Sequence, residues 1–136
     1  MSFPVDIKYI IEMEHELGLV FPDSFKSKMT KENGGELMTE DDDWQLYPFF
    51  DKSDNKRMSR TCNHIVLETK QAREWHNFPY NGIAIASNRS GDNLILLPTD
   101  NDNKKLRDEI YLWKHETSEV HEVAKNINEL LKNNNL

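Results

Sequence analysis

The sequence predicts a mixed α and β fold, with helices towards both ends of the chain and β-hairpins between them. Three observations predict it. Apolar residues recur at helical spacing near both termini, and two short apolar runs flank a cluster of turn formers in the middle. In addition, 37% apolar and 10% aromatic residues among 136 supply one core and argue against disorder. A chain of this length suits a single domain over residues 1–136, with no fixed-period repeat or low-complexity linker to divide it.

Taken in order, Ile7, Ile10, Ile11 and Leu17 are expected on one face of a first helix that covers the core and stops at Gly18. Glu14 falls on that face, where an unpaired charge is costly, so its carboxylate should reach solvent or accept hydrogen bonds from nearby backbone. Pro22 suits the start of a second helix, with Phe25 and Met29 four apart on one side. Asn33, Gly34 and Gly35 should end it in a Schellman-like cap, since these residues accept positive φ. Glu36–Met38 and Trp44–Phe50 read as strands joined by the acidic loop Glu40-Asp41-Asp42-Asp43. Asp51–Arg60 reads as a polar surface connection, and Thr61–Trp75, with Ile65, Ala72 and Trp75, as a helix.

The clearest hairpin joins Gly82–Ala86 to Leu94–Leu97 around Asn88-Arg89-Ser90-Gly91-Asp92. Its apolar runs do not alternate, so both faces should be covered and the hairpin should lie mid-sheet. Ile110–Trp113 resembles a further strand after the charged connection Asp100–Asp108. Val123, Ile127, Leu130 and Leu131 form a helical stripe that closes the chain, fraying at Asn133–Asn135.

Charge narrows the partners. Seventeen basic against 24 acidic residues leave a net charge of -7, which disfavours nucleic acid phosphates and anionic lipid and favours a basic partner. No apolar run approaches the roughly 20 residues that span a bilayer, and the N-terminus lacks a signal-peptide pattern, so a cytoplasmic protein is expected. Cys62 is the single cysteine, which excludes an intramolecular disulfide and a cysteine-built zinc site. His15, His64, His76, His115 and His121 form no H-E-x-x-H or facial-triad spacing, so no metal is expected. Cys62 lies two residues from His64, an arrangement open to a thiolate and base, but a buried or half-buried thiol is the favoured reading.

Ser90 stands in Arg-Ser-Gly rather than a nucleophile elbow and reads as a turn residue. The consecutive Asp41, Asp42 and Asp43 point in different directions and suit a solvated loop better than a calcium site. There is no phosphate-binding glycine loop, and no cofactor is implied. Trp44, Tyr47, Phe49 and Phe50 follow the acidic run directly, either as a recognition surface or with alternate members filling the core.

Several pieces in register resemble one family. Glu14-His15-Glu16-Leu17-Gly18, then Phe21-Pro22-Asp23-Ser24-Phe25 and Asn33-Gly34-Gly35, followed by Ile83-Ala84-Ile85-Ala86 leading to Gly91-Asp92, and Ile110-Tyr111-Leu112-Trp113-Lys114-His115-Glu116, are similar to the SUKH superfamily, the Smi/Knr-type domain, over about Ile7 to Leu131. Phe21 and Phe25 depart from the leucine and tyrosine often found there. The resemblance implies an α+β fold, a mostly antiparallel sheet with helices packed around it, in agreement with the segments above. It implies structural roles for Glu14, Gly18, Pro22, Asn33, Gly34, Gly35, Gly91, Asp92 and Trp113.

It also implies binding rather than catalysis, since bacterial members typically neutralise toxins, often nucleases, and fungal relatives act as interaction modules. The expected function is therefore immunity against a cognate, basic protein toxin, with Asp41, Asp42, Asp43, Trp44, Asp51 and Asp54 as the acidic contact region of a monomer. A regulatory interaction module is the alternative, and a small hydrolase built on Ser90, Cys62 and the histidines a third reading.

Overall fold

Asp6 opens the first helix, α1 (Ile7–Leu17), by accepting the Lys8 N–H at 3.0 Å. The helix stops at Gly18, whose left-handed backbone lets its N–H reach the Glu14 carbonyl at 2.8 Å. The buried stripe runs through Ile10 and Met13 to the half-buried Leu17; Ile7 and Ile11, expected on it, are 45% and 43% exposed. They lie to the side of that stripe, because a helix of this length buries only one narrow arc. Glu14 meets its expectation: its Oε2 accepts the Phe21 N–H at 2.8 Å and lies 3.2 Å from the Lys26 ammonium. The carboxylate thereby fixes the turn into α2 (Asp23–Lys31), which starts directly after Pro22.

The computed structural model describes residues 2–39, 42–75 and 77–132. After α2 come β1 (Gly35–Met38), β2 (Asp43–Leu46), α3 (Asn55–Arg60), α4 (Ile65–Ala72), β3 (Ile83–Ser87), β4 (Asn93–Leu96), β5 (Ile110–Trp113), β6 (Val120–Ala124) and α5 (Ile127–Lys132).

Asn33-Gly34-Gly35 does end α2, but not through a Schellman cap, since Glu32 at the helix end is extended with φ -146°. The side chain of Lys28 takes the place of that cap, its buried ammonium donating to the carbonyls of Glu32 at 2.8 Å and of Gly34. Burial pushes the Lys28 ammonium below its ordinary pKa, against the pull of the Glu32 carboxylate. Asn33 is also buried; its amide donates to the Phe49 carbonyl and accepts the Phe49 N–H, both at 2.8 Å, as a strand backbone would. Gly34 then turns the chain at φ +105°, where a Cβ would come within 3.3 Å of the Leu46 carbonyl.

The six strands form one antiparallel sheet in chain order, β1-β2-β3-β4-β5-β6. β3 and β4 hold the middle, and apart from the half-buried Ser87 all their residues are buried, as the unbroken apolar runs required. β2 ends at Leu46 instead of reaching Phe50, and α4 replaces it along β3. There the Thr69 hydroxyl accepts the Ala84 N–H at 3.0 Å and donates to its carbonyl at 3.4 Å. The helix expected over Thr61–Trp75 is thus the shorter α4.

Two elements differ from expectation outright. Residues 51–60 contain α3, capped by Asp54, whose side chain accepts the Arg57 N–H at 2.7 Å. None of the residues of α3 is buried, so no apolar stripe announced it. Val123 belongs to β6, not to the final helix, which starts after Asn126 caps Glu129 N–H at 3.0 Å. The apparent stripe ran across a strand–helix boundary. Asn133–Asn135 lie outside the described residues.

The larger core cluster joins α1, α2, α5 and the start of α4 to the sheet around Phe21, Phe25 and Phe49, with ring centroids 5.0–6.0 Å apart. A second cluster, Ala72, Phe78, Ala84, Ile95 and Trp113, covers part of the opposite face. Trp113 anchors it, donating its indole N–H to the Asn77 carbonyl at 3.1 Å and meeting Phe78 edge-on at 5.0 Å.

Candidate protein-binding surface

Residues paired across a sheet share a face, so the register defines what lies beside the second cluster. Trp113 pairs with Asn93, Asn93 with Ser87, Ser87 with Gln45 and Gln45 with Glu36; Asp43 and Met38 pair one step further along β2 and β1. The α4–β3 connection covers the Trp113 end of this row. At the other end Glu36, Met38, Asp43 and Gln45 are exposed, and Arg89 stands at the rim. Tyr47 and Asn93 mark the border, with the Asn93 amide 3.4 Å from the Tyr47 hydroxyl. Burial raises the Tyr47 pKa, and hydrogen bonds with Ser87 and Asn93 work against it.

In an antiparallel meander alternate turns gather at one end of the sheet, which brings together the turns after β1, β3 and β5. A chain of hydrogen bonds laces them. The Asn88 amide donates to Asp42 at 2.9 Å and to Asp92 at 3.2 Å, while its oxygen accepts the N–H groups of Ser90 and Asp92. Asp92 in turn lies 2.7 Å from Nδ1 of His115 and accepts the His115 N–H at 3.2 Å. Burial would raise the Asp92 pKa, but these bonds from His115 and Asn88 outweigh it and hold the carboxyl below its ordinary range. Gly91 makes the approach feasible, since a Cβ there would sit 3.2 Å from the His115 ring. Trp75, 55% exposed, packs edge-on against that ring at 5.7 Å.

The expected contact residues therefore part company. Asp42 is half-buried beside Asn88, Asp43 is exposed at the start of β2, and Asp54 is exposed but serves as the cap of α3. Trp44 and Asp51 are buried, at 3% and 2% exposure, and offer no side-chain surface. The Trp44 indole N–H holds Thr39 at 3.1 Å. Asp51 accepts the Ser53 N–H at 2.9 Å, and its own N–H donates to the Thr61 hydroxyl at the same distance. Of the neighbouring aromatics, Phe49 is buried and Tyr47 and Phe50 are half-buried. Glu40, Asp41 and His76 lie outside the described residues.

Exposed Trp75 and Tyr80 were not among the expected contacts; no period in the sequence distinguishes them, and their exposure follows from the path of the α4–β3 connection.

The candidate reactive groups are placed elsewhere. Cys62 is exposed, contrary to the buried or half-buried thiol expected, because residues 61–64 form a surface turn between α3 and α4. His64 does not face it as a base: its Nδ1 accepts the Leu67 N–H at 3.2 Å to cap α4, and its ring lies 4.9 Å from Phe50. Burial lowers the His64 pKa, against the pull of the Glu16 carboxylate. Ser90 is a turn residue. Among the described residues no group of three or more His, Cys, Asp or Glu side chains is placed to hold a metal, and no helix is long and apolar enough to cross a membrane.

Residues 4–133 match the model of the SMI1 / KNR4 family (SUKH-1). No curated protein and no solved structure matches the chain.

Proposed function

Because the chain belongs to the SMI1 / KNR4 family (SUKH-1), we propose that it is an immunity protein, which binds a cognate toxin domain and occludes its active surface. Its own side chains make and break no bond in this reading. The observation that carries it is the exposed acidic half-face of the sheet, Glu36 and Asp43 with Asp42 beside them, held rigid by the laced turns. A surface fixed before contact loses little freedom on binding. A toxin that acts on nucleic acid needs cationic groups for phosphate, and opposite potentials speed its encounter with a chain of net charge -7. Asp41, Asp42, Asp43 and Asp54 are the carboxylates we assign to that encounter; the buried Trp44 and Asp51 side chains take no part in the contact.

The test is co-expression with each toxin domain found encoded beside this gene. Growth should be restored, and an inactive complex should co-purify. A toxin that co-purifies fully active would leave the regulatory-module reading in its place. With Glu36→Gln and Asp43→Asn combined, the association rate at low salt should fall by about tenfold and converge with the native rate at high salt; an unchanged rate removes this face from the interface.

A further inference from the structure

β6 is the last strand of the sheet, and four of its five residues are exposed, Val120 at 39% and Val123 at 37%. The directions of its backbone groups follow from the register. Lys114 N–H donates to the Glu119 carbonyl at 2.9 Å, so those two residues form a hydrogen-bonded pair of the antiparallel ladder. Such pairs alternate with non-hydrogen-bonded ones. Trp113 opposite Val120 is therefore non-bonded, Leu112 opposite His121 bonded, and Tyr111 opposite Glu122 non-bonded. The N–H and C=O of both Val120 and Glu122 thus point away from β5, out of the sheet edge. After Glu122 the register slips, with Ala124 opposite Ile110, and Val123 is the extra residue of a bulge that ends the regular run. Protein edges are commonly blunted by a covering helix, a proline or a bulge. Here the bulge shortens the edge, but Val120–Glu122 carries no proline and remains exposed.

We propose that this edge takes up an extended, basic segment of a protein partner as a seventh strand. Two outward residues offer two donors and two acceptors, which fix the segment's direction and register. Charge selects its chemistry: Glu116, Glu119 and Glu122 line this hairpin against Lys114 and Lys125, on a chain of net charge -7. A lysine or arginine opposite Glu122 and a β-branched residue opposite Val120 make the favourable cross-strand pairs. The inference rests on the reading above only for the partner's identity.

A synthetic peptide repeating Val-Thr-Lys-Thr, about ten residues long, which sets valine and lysine two positions apart on one face, and its counterpart with glutamate in place of lysine are suitable probes of the full chain. With the lysine peptide, amide exchange at Val120 and Glu122 should slow by at least about tenfold; with the glutamate peptide it should not change. Glu122→Pro removes an outward donor while sparing the ladder to β5, and should weaken the peptide at least about tenfold without shifting the unfolding midpoint. Glu122→Lys alters no backbone group and should weaken it as well, which keeps the test open if the proline chain does not fold. Unchanged exchange with both peptides overturns the proposal. So does slow exchange that grows with protein concentration alone, which would make a second copy of this chain the occupant. A chain that pairs with the lysine peptide but leaves its toxin active would refute the immunity reading and not this one; toxin neutralised without edge pairing would do the reverse.

Discussion

On the sheet face that carries Trp113, the stretch over β3–β5 buries Ala84, Ile95 and Trp113 beneath Ala72 and Phe78, whereas the stretch over β1 and β2 leaves Glu36, Met38, Asp43 and Gln45 exposed. Both stretches belong to one continuous ladder. The difference lies in what the connections bring across: the β3 side receives α4 and the turn that follows it, and among the described residues the β1–β2 hairpin receives no comparable cover on that face. Side-chain composition agrees with each outcome. Apart from the paired Ser87 and Asn93, β3 and β4 are apolar on both faces, while β1 and β2 alternate with Leu37, Trp44 and Leu46 turned into the larger core. The covered stretch is where stability resides, and the open one is free to be used.

Trp113→Ala tests the covered side most severely. It removes the largest buried side chain of the second cluster and should cost about 3–5 kcal/mol in urea unfolding; a loss below about 1 kcal/mol would mean that the cluster is not a core. Gly34→Val strains a positive-φ position that already approaches the Leu46 carbonyl, at about 1–3 kcal/mol, and an unchanged melting temperature would count against the turn described here.

The laced turns respond to acid. A carboxyl held below its ordinary pKa stabilises the fold above the unfolded value and loses that contribution as the pH falls through the folded value. Asp92→Asn should therefore melt below the native chain near neutral pH, with the gap closing as acidification carries the pH below the carboxyl's ordinary range. A gap independent of pH would sink the assignment. The smallest effect belongs to the open side, where Glu36→Gln and Gln45→Thr should each change stability by less than about 0.5 kcal/mol. A larger loss in either would show that this stretch is part of the core after all.

Legibility in the sequence followed the same division. The β3–β4 hairpin was readable because continuous apolar runs and the Asn88–Asp92 turn formers point to one structure. α2 was readable from Pro22, Phe25 and Met29, although the device that ends it, the Lys28 side chain, has no local signature. α3 and β6 were missed because neither turns a continuous apolar face inward. Among the site residues, Asp43 was identified as exposed acid, but Trp44 and Asp51 next to the same loops point inward. Which way an aromatic or carboxylate faces depends on the strand register, and that is fixed by residues distant in sequence.

The sequence by itself determined α1, α2 and the β3–β4 hairpin, the acidic charge, the absence of a disulfide and the family to which the chain belongs, because periodicity, turn chemistry and residue counts are local properties. Only the tertiary structure decided that Cys62 and Trp75 face outward, that Asp42, Asn88, Asp92 and His115 form one hydrogen-bonded chain across three turns, and that Val120 and Glu122 aim their backbone groups out of the sheet. Each of these depends on strand pairing and on which connection covers which face, which are settled by the collective burial of the core and by no single segment.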